Sequence, residues 1–343
     1  MPEHVGDAAG DVCGGGSGAA APAAAADIVT LGEAMRLLVA EPGVALRRAE
    51  SFRASIAGAE TNVAIGLSRL GHRVRWLSRV GADAAGSALL AHLRAEGVDV
   101  SAVEVDPDRH TGLLMRDSHA SRPVQVQYFR AGSAASALSP SYVRSSGLAG
   151  ARLVHVTGIT AMLSDPAREA VHALLAAARE QGAAVSFDPN VRHRLGPPDR
   201  WRAVAGPLLR EADLVFAGAD ELELITGLPS AQATGALLAG GTHTVLVKHP
   251  DKSATVTTTD GTWREPSRVP TVVDAVGAGD ALVVGYLDAW LRDAPPAAAL
   301  LAGVVTAALV VGAVTDTEGL PDRAELDHAV GVLTEGGEHL VDR

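Results

Sequence analysis

From Asp27 to about residue 330, strand-like apolar runs alternate with helix-length ones, and nothing else in the chain constrains its fold as much. A chain that repeats strand then helix must cross back over a sheet to lay down each new strand, so the pattern predicts an α/β fold with a mainly parallel sheet. Ile28–Leu31 reads as the opening strand. Thr61–Leu70 reads as a helix with Val63, Ala64, Leu67 and Leu70 on one face, stopped by Gly71, and Val74–Ser78 as the next strand. Further on, Ala167–Gln181 is an alanine-rich helix ended by Gly182. Ala184–Phe187 follows as a strand that delivers Asp188, Pro189 and Asn190 at its C-terminal end, where open α/β sheets gather their ligands.

Two segments break this rhythm. Residues 36–56 and about 98–135 carry short alternating stretches such as Val124–Phe129 and are expected to form a small β element off the main sheet. It reads as a lid that excludes water from a reaction centre, or else as a β extension or dimer surface. Residues 1–26, rich in glycine and alanine, are expected to be a disordered tail, and 331–343 a C-terminal tail, leaving 27–330 as the folded domain. The nearly uncharged run Ala297–Val314 is alanine-rich, contains Gly303, Thr306 and Gly312, and is flanked by acids. It reads as a buried helix, not a membrane span.

Composition narrows the partners. Forty acidic residues against 29 basic ones leave a net charge of −11, which argues against nucleic acid. The only lysines, Lys248 and Lys252, do not follow a glycine, so no Walker A loop is present and a nucleotide must be held in another way. The single cysteine, Cys13, permits no intrachain disulfide and the N-terminus lacks a signal-like pattern; the cytoplasm is the expected compartment. No histidine or cysteine grouping suggests zinc.

The stretch from Asp274 to Leu282 concentrates the chemistry. Gly277 and Gly279 let backbone N–H groups face an anion, and a helix beginning near Asp280 would point its positive end there. An acid beside an anion is costly unless it accepts a proton from an attacking hydroxyl. The alternative is an ordinary glycine turn with an aspartate cap.

Taken in order, several blocks resemble the ribokinase-like (PfkB) family of carbohydrate kinases. They are Ala57–Ala64 with Leu70-Gly71, Arg79–Gly86, and the 274–282 stretch. Tyr128–Leu138, His155–Thr160 and Asp188–Arg192 resemble its 2-keto-3-deoxygluconate kinase branch in particular. The resemblance implies a three-layer α/β/α sandwich with a β lid, and an ATP- and Mg2+-dependent sugar kinase that binds a small-molecule sugar and self-associates as a homo-oligomer. It implies Asp280 as general base, with the N–H groups of Gly277, Ala278 and Gly279 forming an anion hole. Gly58, Asn62, Tyr128, Arg130, Arg192 and Asp316 would contact the acid sugar. Lys248, Gly277 and Gly279 would meet the nucleotide, and Glu221 would organise magnesium through water. Two departures stand out: Pro250 and Ser253 occupy positions where the family carries glycines near ATP, and Leu114 stands where the branch has a tyrosine. They keep open a kinase for another sugar, such as fructose or ribose, and a sugar-binding or regulatory protein without catalysis.

Overall fold

The computed structural model describes residues 26–118, 124–146, 148, 150–268 and 275–334. Residues 1–25 of the tail expected over 1–26, Asp274, and residues 335–343 lie outside them. Ala26 is already buried, and the last helix, Arg323–Thr334, runs past the boundary expected at 330.

The main sheet has eight strands, in the order Gly261–Glu265, Ala254–Thr258, Thr244–Lys248, Leu214–Gly218, Ala184–Asp188, Leu153–Thr157, Ile28–Leu31 and Val74–Leu77. The six from Thr244–Lys248 to Val74–Leu77 run parallel; Ala254–Thr258 and Gly261–Glu265 extend the sheet through two antiparallel pairings. Successive side chains of a strand point to opposite faces, and both faces here are covered. Leu214 and Phe216 join one apolar cluster with the helices Ala59–Arg69, Ala278–Leu291 and Pro296–Val310. Val215 and Ala217 join the other, with Asp165–Glu180 and Pro198–Glu211. The result is a three-layer α/β sandwich whose central strands are buried almost throughout and mainly apolar, as expected of strands covered on both sides.

Local chemistry moves several expected boundaries. The first helix starts at Ala59, two residues early, with Gly58 as its cap. The helix expected from Ala167 starts at Asp165, because Ser164 Oγ accepts the Ala167 N–H and Pro166 suits the first turn. The buried helix stops at Val310 instead of Val314. There the chain turns back over it, so closely that a Cβ on Gly319 would lie 2.7 Å from the Leu309 carbonyl oxygen. Among the described residues no helix is long and apolar enough to cross a membrane.

A second sheet, in the order Phe52–Ala57, Met35–Ala40, Gly112–Arg116 and Val126–Phe129, stands apart from the first. Met35, Leu37, Val39, Ala57 and Leu114 form its own small core. Residues 98–106, expected to belong to it, do not. Glu104–Asp106 pairs with Arg79–Gly81 in a separate ribbon, and Val98 and Val100 sink into the main core.

Candidate active site

The C-terminal ends of the central strands face the small sheet across a cavity of about 720 Å³. One end is bounded by Tyr128, Arg130 and Arg192, the other by His249, Pro250 and Lys252, and Asp280 lines the cavity between Asn62 and Lys248.

Asp280 is held from two sides. It sits in the first turn of Ala278–Leu291, so the helix begins two residues before the acid; the N-cap Gly277 is left-handed, with φ 85°. A Cβ on Gly277 would lie 2.7 Å from the Asp316 carbonyl oxygen, and glycine alone meets both demands. Asn62 Nδ2 donates to Asp280 Oδ2 at 2.7 Å, and Asn190 Nδ2 donates to Oδ1 at 3.2 Å. Asn190 has φ 45°, a conformation asparagine tolerates better than most residues. Only 9% of Asp280 is exposed. Burial pushes its carboxyl up to about 7, reinforced by Asp188 and opposed by Asn62, Arg192 and Lys248. The N–H groups of the helix's first turn have no intrahelical acceptor and mark the positive end of its dipole. Gly277 and Gly279 line the cavity; Ala278 does not, which confines its expected part to its N–H.

Beside this turn lies a charged cluster. Lys248, the last residue of its strand, donates from Nζ to Asp188 Oδ2 at 2.8 Å, and Asp188 is itself buried. Burial works against the Lys248 ammonium, but Asp188, Glu221 and Asp280 together hold its pKa above the ordinary value. A Cβ on Gly279 would lie 3.7 Å from Nζ, so the ammonium adjoins the helix N-terminus. Glu221 Oε1 accepts the Val191 N–H at 2.6 Å and Oε2 accepts the Gly218 N–H at 2.7 Å. Burial raises its carboxyl, with Lys248 opposing. Among the described residues no group of three or more histidine, cysteine, aspartate or glutamate side chains could hold a metal directly.

At the opposite end Gly58 approaches the backbone so closely that a Cβ would lie 2.7 Å from the Glu33 carbonyl oxygen. The Arg130 guanidinium lies 5.6 Å from the centre of the Tyr128 ring, close enough for a cation–π contact. Arg130 Nε donates to Glu33 Oε2 at 2.7 Å, so its charge is already matched by a carboxylate that sequence reasoning did not single out. Arg192 is exposed and has no carboxylate partner among the described residues. Asp316 Oδ1 lies 3.5 Å from Nη2 of Arg116, which also donates to the Val314 carbonyl oxygen at 2.8 Å. Arg116, only 2% exposed, enters the cavity from the same strand face as Leu114, and no local pattern flagged it. The Lys248–Ala254 turn closes without glycine: Ser253 accepts the His249 N–H, and Lys252 takes the left-handed position, φ 66°.

The sequence profile described as pfkB family carbohydrate kinase matches residues 25–323. A 2-dehydro-3-deoxygluconokinase of Bacillus subtilis is 37% identical over 304 residues, covering 88% of this chain and 94% of its own. One of Thermoproteus tenax is 33% identical over 89% of this chain and 94% of its own. The crystal structure of a PfkB protein from Polaromonas sp. JS666 is 36% identical, with a TM-score of 0.79 over 88% of this chain and 99% of that one.

Proposed function

The chain belongs to the pfkB family of carbohydrate kinases, and on that premise we propose that it transfers the γ-phosphoryl group of ATP to the terminal hydroxyl of 2-keto-3-deoxygluconate, giving the 6-phosphate. The observation that carries the chemistry is Asp280: a buried carboxylate, fixed through both oxygens and pushed to about 7, at a glycine-flanked helix N-terminus. The relatives' shared name supports the substrate.

In this reading the hydroxyl oxygen bonds to the γ-phosphorus as the bond to the bridging oxygen of ADP breaks, and the hydroxyl proton passes to Asp280. Each Asp280 oxygen spends one lone pair on an asparagine and keeps another for that proton. The N–H groups of Gly277, Ala278 and Gly279 bear on the transferred group. Lys248, kept charged by Asp188, faces the nucleotide phosphates. Glu221 fits water-mediated service to magnesium, because two backbone N–H groups fix its carboxylate while leaving it lone pairs for water. Magnesium, when bound, offsets phosphate charge. The turn closes without glycine by placing Lys252 in the left-handed position, and His249, Pro250 and Lys252 line the cavity at the nucleotide's end.

Asn62 Oδ1 is buried and has no hydrogen-bond partner among the described residues, which suits a sugar hydroxyl as donor. Gly58 admits the sugar close to the backbone, Asp316 accepts a further hydroxyl, and Tyr128, Arg130 and Arg192 receive the acid end, Arg192 through its fork. The small sheet serves as the lid, and its exposed Phe129 as part of a self-association surface in a homo-oligomer. ADP release tested with 2-keto-3-deoxygluconate, its C4 epimer, fructose and ribose decides the reading. A clear preference for the first supports it, and a neutral-sugar preference rejects the substrate. No sugar-dependent ADP with any nucleotide or divalent ion would make this a binding or regulatory protein.

A further inference from the structure

A second cavity of about 490 Å³ adjoins the first and shares Tyr128, Arg130 and Arg192 with it. Its size is that of a small-molecule site. Arg194 and Arg200 complete a wall of four arginines, and among the described residues no carboxylate lines it. In a chain of net charge −11 this is a local reversal of sign. Of the four, only Arg130 has a carboxylate partner among the described residues. Arg194 Nη1 donates to the Val126 carbonyl oxygen. Arg200 Nη1 and Nη2 reach the Leu195 and Met162 carbonyl oxygens, each at 3.3 Å. Backbone carbonyls orient a guanidinium without cancelling its charge, so Arg194 and Arg200 line one concavity with Arg192, whose electrostatic pull on Asp280 falls short of an ion pair.

We propose that this second cavity is an oxyanion site for a phosphate monoester of a small sugar acid, and that its occupation competes with the acid sugar for Arg192. The choice of a phosphate over a single carboxylate follows from counting. A carboxylate offers two oxygens and one charge, whereas a phosphate monoester offers three terminal oxygens and a charge of roughly −1.5 to −2 at pH 7. Three guanidinium forks match the second better. The ligand class rests on the kinase reading above, since such esters are what that reaction releases; the oxyanion site itself does not.

Calorimetric titration of the full chain, without nucleotide or sugar, with 6-phosphogluconate and with inorganic phosphate tests the proposal. The Arg194→Gln/Arg200→Gln double variant is the comparison, and gluconate the probe lacking phosphate. The wild type should bind 6-phosphogluconate, and the double variant about tenfold more weakly or worse, since charge-assisted contacts are lost. Gluconate should be little affected by the double substitution. Equal affinity in the two proteins would assign the phosphate to the Gly277–Lys248 end and overturn the site, as would no binding by the wild type. Inorganic phosphate alone binding with the same arginine dependence would keep an oxyanion site and remove the sugar-acid ester. A double variant that releases ADP normally but has lost competitive inhibition by 6-phosphogluconate against the sugar would confirm both parts. Because the titration needs no turnover, its outcome stands whatever the ADP assay returns.

Discussion

Replacing Asp280 with Asn is expected to cut turnover sharply and, above neutral pH, to make the protein more stable. Burial raises the carboxyl from 3.8 to about 7, so the folded chain keeps a proton that the unfolded chain gives up across that interval. With the folded value the higher one, the cost to the fold is negligible well below pH 4, grows as pH rises, and levels off above about 7. At about 1.36 kcal/mol for each pKa unit, the cost is roughly 1.5 kcal/mol at pH 5 and roughly 4 kcal/mol at pH 8. An amide has no such pH dependence. It does lose one hydrogen bond, because Asn62 and Asn190 both donate to Asp280 and an amide has one oxygen; that loss costs about 1–3 kcal/mol at every pH. The two effects nearly cancel at pH 5 and favour the variant at pH 8. Urea unfolding at both pH values should therefore show the wild type losing roughly 2–3 kcal/mol more than the variant between them. In the ADP assay the variant's turnover should fall by roughly 10²–10⁴. Parallel stability changes in the two proteins would refute the buried-carboxyl argument, and near-normal turnover in a folded variant would refute the base.

Other substitutions probe the rest of the site. The base acts as a carboxylate, so wild-type kcat/KM, which reports the free enzyme, should rise with pH through about 7; a kcat/KM profile flat from pH 6 to 8 would count against Asp280. Gly277→Ala forces a Cβ to 2.7 Å from the Asp316 carbonyl oxygen at φ 85°, and should lower kcat by roughly 10²–10³, the scale of a lost oxyanion donor, with KM for sugar little changed. Arg192→Gln should raise KM for the acid sugar by roughly 10–100-fold through the loss of charge-assisted bonds, and leave KM for any neutral sugar little changed. Lys248→Met strands the buried Asp188 and should cost about 3–5 kcal/mol of unfolding free energy, measured by urea titration.

The strand and helix periods made the layered fold legible in the sequence, because both faces of the central strands are buried and outer helices such as Asp165–Glu180 have one apolar side. The glycine-aspartate turn was equally readable: Gly277 and Asp280 are close in sequence and their geometry is local. What could not be read were partnerships between distant segments. Glu33 meets Arg130, Arg116 meets Asp316 and Asn190 meets Asp280 only because the sheets bring them together, and no spacing within a single element encodes such pairs. The segment 98–106 was misplaced for a related reason. A three-residue strand reads the same whether it pairs with the small sheet or with Arg79–Gly81.

The single amide of Asn62 touches Asp280 through its nitrogen and offers its oxygen to whatever hydroxyl arrives. Hydrogen bonds in series polarise one another. By hypothesis, a sugar hydroxyl donating to that oxygen makes the N–H a stronger donor, and so draws the Asp280 carboxyl down from about 7 toward its ionised form. The acceptor molecule would thus switch on the group that deprotonates it, and the empty enzyme would keep that group half-disarmed. Titrating the Asp280 carboxyl by NMR with and without a saturating sugar, nucleotide absent, would expose the coupling as a lower midpoint in the complex; an unchanged or higher midpoint would dismiss it.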